Sequence, residues 1–160
     1  AKFGRKGRRL QALINTEDVM PTLLGLSGVM IPETVEGLDF SQLIEGGENP
    51  NDGAALISCP APFGQWARRW GGREFRGIRT FNYTYVEDLR GPWLMFDNEN
   101  DPYQLNNLLA NPGNEKLAKG LREILRRKLK ETNDEFLPGH SYVKKWGYPL
   151  DKTGTVPYKN

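Results

Sequence analysis

Five leucine and isoleucine side chains recur at helical spacing in one stretch of the chain, between Asn114 and Thr132. This spacing places them on one face of an α-helix, opposite a face of charged residues. Gly120 within the stretch costs about 1 kcal/mol relative to alanine, so the helix needs tertiary support. We therefore predict one long amphipathic helix that packs on another element through its apolar side chains, which are Leu117, Leu121, Ile124, Leu125 and Leu129.

The segment before this helix has the patterns of short strands. Aromatic residues at 81, 83 and 85 alternate with polar residues, which is the period of two of a half-exposed strand. Further apolar runs lie at 55–58 and 93–96, and the short polar connection Glu87 to Pro92 favours antiparallel pairing. The predicted fold class is α+β, with a small antiparallel sheet packed against one long C-terminal helix.

The N-terminal third has a different organisation. Gln11 to Asn15 is a short, mostly apolar run typical of a strand, and Asp18 stands where its carboxylate would cap the first free N–H groups of a helix. Gly28 suits the left-handed residue that ends such a helix. The turn-rich stretch Gly46 to Gly53, GGENPNDG, is the best candidate for a boundary. We predict a strand–helix segment and its connection in residues 1–48 and a second domain in residues 49–160.

Two further segments carry predictions of local structure. Asp101 followed by Pro102 has the pattern of an N-cap and a first helical residue, and predicts a helix start. The tail from Asn133 to Asn160 has no sustained periodicity. We expect the tail to be extended and held to the surface by its aromatic side chains, which are Phe136, Tyr142, Trp146 and Tyr148.

Composition limits the classes of partner. The formal net charge of the 160 residues is +2, so the chain as a whole is no strongly basic nucleic-acid binder. No apolar run approaches the roughly 20 residues of a membrane span. We expect neither a nucleic acid nor a membrane as partner. The single cysteine, Cys59, excludes an internal disulfide and leaves the cellular compartment open.

Two segments in this order resemble the C-terminal part of sulfatases of the alkaline phosphatase superfamily. Residues 18–44, DVMPTLLGLSGVMIPETVEGLDFSQLI, resemble the family's Asp-x-x-Pro-Thr-Leu-Leu stretch with its Gly-x-Asp before Ser-x-Leu. Residues 75–108 resemble the family's ending, an arginine-bearing strand that finishes Tyr-x-Tyr-Val, then Phe-Asp and an Asp-Pro-x-Gln-x-x-Asn-Leu turn. The resemblance runs from about residue 8 to residue 131, most of the chain.

The resemblance implies the following organisation and chemistry. Residues 1–48 would be the last strand and helix of a truncated, larger α/β catalytic domain, and residues 49–160 the small C-terminal domain with an extended tail. The partner would be the missing catalytic domain of the same polypeptide, which carries the family's calcium and its formylglycine residue, so no cofactor is expected in this chain. Family members are often exported, but the sequence leaves the location of this chain unknown.

The catalytic motifs of the family are missing from the sequence. Sulfatases carry Cys/Ser-x-Pro-x-Arg, whereas Cys59 is followed by Pro-Ala-Pro-Phe, so a small residue that ends a strand is the better interpretation. Asp97 and Asn98 resemble the family's calcium pair but lie in the Phe-Asp turn, where turn and cap roles are expected. We therefore predict a non-catalytic C-terminal fragment that hydrolyses nothing by itself.

Candidate binding residues cluster in the long loop Pro60 to Glu74. Arginine forks bind sulfate oxygens through paired donors, and indole faces stack on sugar rings. The loop therefore suits the rim of a pocket for a sulfated saccharide, although pairing of its arginines with Glu74 and Glu87 is the open structural alternative. His140 in the tail joins this candidate set, which is Arg68, Arg69, Trp70, Arg73 and His140.

Two other functions compete with the sulfatase interpretation. The basic face of the long helix would bind polyanions such as sulfated glycans by counterion release, which would make the chain an independent binding module. Charged residues opposite a complete apolar stripe are, however, more often simply the solvated side of an amphipathic helix. A related phosphoric ester hydrolase of the same superfamily is the third possibility. The basic residues are Lys116, Lys119, Arg122, Arg126, Arg127 and Lys130.

Overall fold

The computed structural model describes residues 7–62, 64–152 and 156–157. The chain divides into two compact units: Ala1–Ala55 with Arg79–Phe81, and Leu56–Ile78 with Asn82–Asn160. The assignment of residues 1–48 to a larger catalytic domain stays a prediction. Among the described residues, no helix is long and apolar enough to cross a membrane.

The first unit is built around a short helix that ends as its sequence predicts. A 3-10 turn, Thr16–Asp18, leads into α1, Val19–Ser27, and Gly28 stops α1 in the left-handed region at φ 68°. Asp18 stands at the N-cap position, but its carboxylate accepts the N–H groups of Asn15 and Leu38, both at 2.7 Å. The predicted capping of the first N–H groups of α1 is therefore wrong. Asp18 instead ties the loop that follows α1 back to its start.

The loop after α1 closes tightly on that helix before α2, Ser41–Glu45, begins. A β-carbon on Gly37 would lie 2.0 Å from the carbonyl oxygen of Glu17, so only glycine fits at this approach. Thr22 accepts the N–H of Phe40 at 3.0 Å, and Phe40 is fully buried. The strand predicted at Gln11 to Asn15 is absent, because these residues have no regular secondary structure. A strand forms only when a neighbour satisfies its backbone groups.

The sheet has four antiparallel strands in the order β1-β2-β3-β4. The strands are β1, Ala55–Cys59; β2, Phe75–Arg79; β3, Tyr83–Asp88; and β4, Gly91–Asp97. In the last pair Tyr83 lies opposite Asp97 and Asp88 opposite Gly91, with an irregularity between Val86 and Glu87. The connection between β3 and β4 is a two-residue turn, much shorter than the polar connection predicted from Glu87 to Pro92.

The long helix, α3, runs over Glu115–Glu131 and packs on the sheet as predicted. Its leucines at 121, 125 and 129 form the core with Ile78 of β2, Tyr85 of β3 and Met95 of β4. Leu117 and Ile124 are partly buried against the same cluster. The predicted fold class, α+β with a small antiparallel sheet against one long helix, is confirmed.

Burial and local geometry correct two predictions in this unit. β3 is covered on both faces, since Thr84 and Val86 are as buried as Tyr85, so the half-exposed strand is wrong. Asp101 starts no helix: its carboxylate accepts the N–H groups of residues 105 and 106, and Gln104 adopts φ 56°, which stops helical continuation. Two 3-10 turns, Leu108–Ala110 and Pro112–Asn114, follow before α3.

The tail contains a helix that the sequence pattern missed. α4 spans Gly139–Lys145, where an extended segment was predicted. The expected aromatic anchoring holds for Phe136, which packs against the core, and for Tyr142, which is buried. Trp146 stacks on Tyr142 at a ring-centroid distance of 5.0 Å but remains half exposed.

Candidate functional site

The loop between β1 and β2 is held in a tight, ordered shape by two glycines. It contains two 3-10 turns, Gly64–Trp66 and Arg68–Trp70. Gly71 ends the second turn at φ 89°, and a β-carbon on Gly72 would lie 1.5 Å from the carbonyl oxygen of Trp66. Only glycine permits this contact, which folds the chain back before β2 and brings Arg68 and Arg73 to the same cavity.

Arg73 is fixed between a carboxylate and an indole ring. Its Nη1 donates to Oδ2 of Asp88 at 2.8 Å, and its guanidinium carbon lies 4.4 Å from the centroid of Trp93. Trp66 stacks on the same indole at 6.4 Å. Glu74 and Glu87 were the predicted alternative partners of the loop arginines. In the structure, Arg73 pairs with Asp88 at the end of β3. Such a guanidinium keeps a fixed orientation while remaining 34% exposed.

Glu74 binds the neighbouring arginine and the tail at once. Its Oε1 accepts from Nη2 of Arg68 and, at 2.7 Å, from the backbone N–H of Gly139 at the start of α4. Burial of Glu74 alone would raise its pKa, but the hydrogen bonds from Gly139 and Arg68 outweigh this effect and leave the pKa below its ordinary value. Glu74 is therefore a buried anion that holds Arg68 at the surface and α4 against β2.

A third arginine, Arg90 in the β3–β4 turn, completes the cluster. Asp88 Oδ1 accepts the backbone N–H of Arg90 at 2.7 Å, and Oδ2 accepts from its Nη2 at 3.1 Å. Burial alone would raise the pKa of Asp88, but hydrogen bonds from Arg90 and Arg73 hold that pKa below its ordinary value. A cavity of about 300 Å³ lies among these groups, lined by Arg68, Gly71, Gly72, Arg73, Glu74, Asp88, Leu89 and Arg90.

The predicted candidates divide between this cavity and its surroundings. Arg68 and Arg73 line it, whereas Arg69, Trp70 and His140 do not. Arg69 lies over the ring of Trp70 at 5.7 Å, and Trp70 is 68% exposed. His140 is exposed on α4, next to the glycine that donates to Glu74. Sequence reasoning missed Arg90 and Asp88, although Asp-x-Arg-Gly within a short polar connection is a signal for a tight hairpin turn.

The basic face of α3 is partly engaged by the protein itself. Arg122 and Arg126 both donate to the buried carboxylate of Glu87, each at 2.8 Å. The hydroxyl of Tyr85 donates to the same carboxylate at 2.8 Å, and its own pKa is raised by burial and by that bond. Arg127 pairs with Glu131 along the helix. Arg122 and Arg126 therefore hold α3 to the sheet, which leaves fewer donors for a polyanion.

The family's cofactors do not fit the residues that the structure describes. Cys59 ends β1, is half-buried, and has a pKa raised mainly by burial, which makes its thiol a weaker nucleophile. Asp97 accepts the N–H groups of Glu99 and Asn100 at 3.0 and 2.9 Å, which confirms its role in the turn. Within residues 7–62, 64–152 and 156–157, no group of three or more His, Cys, Asp or Glu side chains could hold a metal ion. That calcium and formylglycine lie outside this chain stays a prediction.

Comparison with solved structures shows which known proteins share this fold. BT4656, solved in complex with its substrate D-glucosamine-2-N,6-O-disulfate, matches with a TM-score of 0.62 and 25% identity, over 74% of this chain and 24% of that chain. The phosphonate monoester hydrolase of Agrobacterium radiobacter matches with a TM-score of 0.60 at 22% identity, over 96% of this chain and 30% of that one, which shows the fold alone. Both structures share the fold of this chain, which spans only about a quarter to a third of each of them.

The sequence comparisons give the family. Residues 2–131 match the family described as N-sulphoglucosamine sulphohydrolase, C-terminal. The Ulvan-active sulfatase of Formosa agariphila is 43% identical over 155 residues, which are 96% of this chain and 30% of that protein. The chain therefore belongs to the sulfatase family, in its C-terminal domain, as the resemblance of residues 18–44 and 75–108 predicts. It spans about 30% of the length of this curated relative.

Proposed function

We propose that this chain acts as the C-terminal domain of a sulfatase that cleaves a sulfate ester of a saccharide. In this role it packs on a catalytic domain of the same polypeptide, which supplies the formylglycine and the calcium, and supplies no reacting group itself. The observation that carries the proposal is the alignment of 96% of this chain with 30% of the Ulvan-active sulfatase. The substrate named for BT4656, a glucosamine disulfate, is a sulfated sugar, the substrate class proposed here.

The second part of the proposal is that the loop 60–74 forms part of the substrate rim. Trp70 presents an exposed ring that would stack on a sugar, and the guanidinium of Arg69 lies over it. Arg68 and Arg73 are held by buried carboxylates with part of each guanidinium at the surface. Hydrogen bonds from such groups to a sulfate are charge-assisted and directional. His140, exposed on α4, is the outermost candidate.

The test is a chimera in which this chain replaces the corresponding C-terminal portion of the Ulvan-active sulfatase. We expect the truncated relative to be inactive, the chimera to regain turnover of ulvan, and the 160-residue chain alone to show none on an aryl sulfate with calcium added. A folded, monodisperse chimera without turnover contradicts the domain role. Turnover by the chain alone that survives repurification and disappears in Cys59→Ser contradicts the non-catalytic role.

The rim is tested within an active chimera by Trp70→Ala. Loss of the stacking surface should lower kcat/KM on ulvan by about five- to tenfold, given roughly 1–1.4 kcal/mol for a stacked ring, while a small aryl sulfate is hydrolysed almost as before. The matched control is Leu105→Ala, another highly exposed apolar residue of the same unit that lies outside the loop. If Trp70→Ala and the control have equal rates on both substrates, the loop is not part of the substrate rim.

A further inference from the structure

We propose that the cavity beside the β3–β4 turn is an oxyanion subsite, in which Arg73 and Arg90 together bind one sulfate ester or one uronate carboxylate of a saccharide. The proposal rests on the proposed saccharide rim and gives that rim a defined anion-binding point. Arg90 is its new member, and Asp88 is the positioning residue that holds both guanidinium groups.

The balance of charge in the cavity favours an anion. Three guanidinium groups line it, from Arg68, Arg73 and Arg90, against the two carboxylates of Glu74 and Asp88. Three positive charges less two negative charges leave one net positive charge. A ligand with a single negative charge therefore completes the local charge balance, and a sulfate ester or a carboxylate has this charge.

The positions of the charged groups in the cavity favour an anion as well. The two carboxylates are buried, Glu74 at 1% and Asp88 at 7% exposure, whereas the side chains of Arg68 and Arg90 are 56% and 78% exposed. The negative charges thus lie on the protein side of the cavity and the positive charges on the solvent side. An approaching oxyanion meets guanidinium N–H groups first and is shielded from the carboxylates behind them.

Donors remain available for a ligand after the internal bonds are made. A guanidinium has five N–H donors. Within the described part of the chain, Arg73 uses Nη1 toward Asp88, and Arg90 uses Nε and Nη2 toward the same oxygen. The remaining N–H groups include Nη2 of Arg73 and Nη1 of Arg90, and two arginines can bind an oxyanion through more than one oxygen.

The guanidinium groups are also held in position before any ligand arrives. Trp93 stacks against Arg73 at 4.4 Å, and one carboxylate oxygen of Asp88 accepts from both arginines. The turn between β3 and β4 fixes the backbone of Arg90, whose N–H donates to the other oxygen. Groups fixed in this way lose little conformational entropy on binding, which raises affinity.

The size of the cavity limits the ligand. About 300 Å³ is at the lower end of the range for small-molecule pockets, enough for one charged substituent with part of its sugar ring. A polyanionic chain would have to lie mostly outside it. The subsite therefore recognises one charged group of a longer saccharide.

The test measures binding to the 160-residue chain by NMR, with the indole N–H of Trp93 as the reporter. The ligands are three disaccharides that share one backbone and carry one sulfate ester, one uronate carboxylate, or neither. We expect at least one charged disaccharide to bind and to shift the Trp93 signal, and the neutral one to leave it unchanged. The affinities for the sulfated and for the carboxylated disaccharide show which oxyanion the site prefers.

Variants locate the site. Arg90→Gln should weaken binding of the charged disaccharide by about tenfold, the size expected for one charge-assisted hydrogen bond, and Arg73→Gln by at least as much. Arg127→Gln removes the same charge from a partly exposed arginine on α3 and should leave Kd within about twofold. In Arg90→Gln the backbone N–H of residue 90 and the guanidinium of Arg73 still bond to Asp88, and the substituted side chain is 78% exposed, so we expect the variant to fold.

Each result decides the proposal. If all three variants weaken binding equally, the attraction is a general charge effect and the subsite is overturned. The subsite is also overturned if neither charged disaccharide binds, or if the neutral disaccharide binds with the same affinity. If the chimera is active but Arg90→Gln binds the charged disaccharide as tightly as the unaltered chain does, the subsite is overturned and the domain function stands. An inactive chimera together with the expected variant pattern overturns the domain function and leaves the subsite standing.

Discussion

Arg76 and Asp134 form a buried ion pair that joins β2 to the segment before α4. Nε and Nη2 of Arg76 donate to the two carboxylate oxygens of Asp134, and Arg76 is 1% exposed. The hydroxyl of Tyr142 donates to the same carboxylate at 2.6 Å, and the rings of Phe136 and Tyr142 lie 5.0 and 5.7 Å from the guanidinium. This contact anchors the C-terminal segment to the sheet.

Replacement of Asp134 should therefore destabilise the second unit strongly. Asp134→Asn leaves the Arg76 charge buried without its counter-charge, for which a loss of about 3 kcal/mol in the free energy of unfolding is expected. Urea denaturation followed by tryptophan fluorescence measures it. The control is Lys145→Ala, which breaks an ion pair of the same segment, Lys145 with Glu135, that is exposed at both ends. A loss in Asp134→Asn no greater than in the control shows that the buried pair does not anchor the segment.

The same pair predicts how stability depends on pH. Burial alone would raise the pKa of Asp134, but hydrogen bonds from Arg76 and Tyr142 outweigh it and place the pKa below the ordinary 3.8. A carboxyl whose pKa is lower in the folded state stabilises that state above its ordinary pKa, and this contribution is lost as the pH falls through the folded value. The pKa values of Glu74 and Asp88 are also lowered, so these carboxylates likewise stabilise the folded state less as the pH falls.

We therefore expect the free energy of unfolding to decrease as the pH falls below about 4, and to decrease less steeply in Asp134→Asn. Urea denaturation at a series of pH values from neutral to about 2.5 provides the measurement. Parallel curves for the two proteins contradict a lowered pKa of Asp134 in the folded state.

The exposed apolar side chains of α1 predict association of the chain in isolation. Val19, Met20 and Leu23 of α1, and Ile14 before it, are each about half exposed, and exposed apolar side chains that lie together drive self-association. We expect concentration-dependent sedimentation, or rapid amide exchange over Leu10 to Leu26. Leu23→Gln should reduce association, whereas Leu105→Gln, a substitution of an even more exposed leucine in the second unit, should not. Slow exchange over this segment in a monomeric chain indicates that the chain covers the helix itself.

The sequence predicts best those parts that local periodicity determines. The leucines of α3 have one face to bury, so their spacing alone places Leu121 and Leu125 on the buried side of the helix. Gly28 ends α1 as predicted, because its left-handed conformation is a local property. Motif resemblance then supplies the family, which periodicity cannot give.

The errors share a physical cause, namely long-range partners that a local pattern cannot contain. Thr84 is buried because Asn98 and Gln104 bond to its hydroxyl from a later turn. α4 is only seven residues long, and its first N–H bonds to Glu74, 65 positions away. Asp88 seemed typical of a polar connection, yet it is buried because Arg73 and Arg90 neutralise it. The candidate site was predictable in its loop arginines and in Glu74, which pairs with Arg68, but not in Asp88, which holds Arg73 and Arg90.

The rim of a saccharide site is the central claim, and the substrate dependence of Arg73→Ala in the active chimera tests it most directly. Loss of one charge-assisted hydrogen bond is worth roughly 1.5–3 kcal/mol. We therefore predict that kcat/KM on ulvan falls about ten- to hundredfold, while a small aryl sulfate without the distal sugar is hydrolysed almost as before. Arg127→Ala should leave both rates unchanged. If Arg73→Ala lowers both rates in proportion, or lowers neither, the loop arginine does not bind substrate and the account of the rim is wrong.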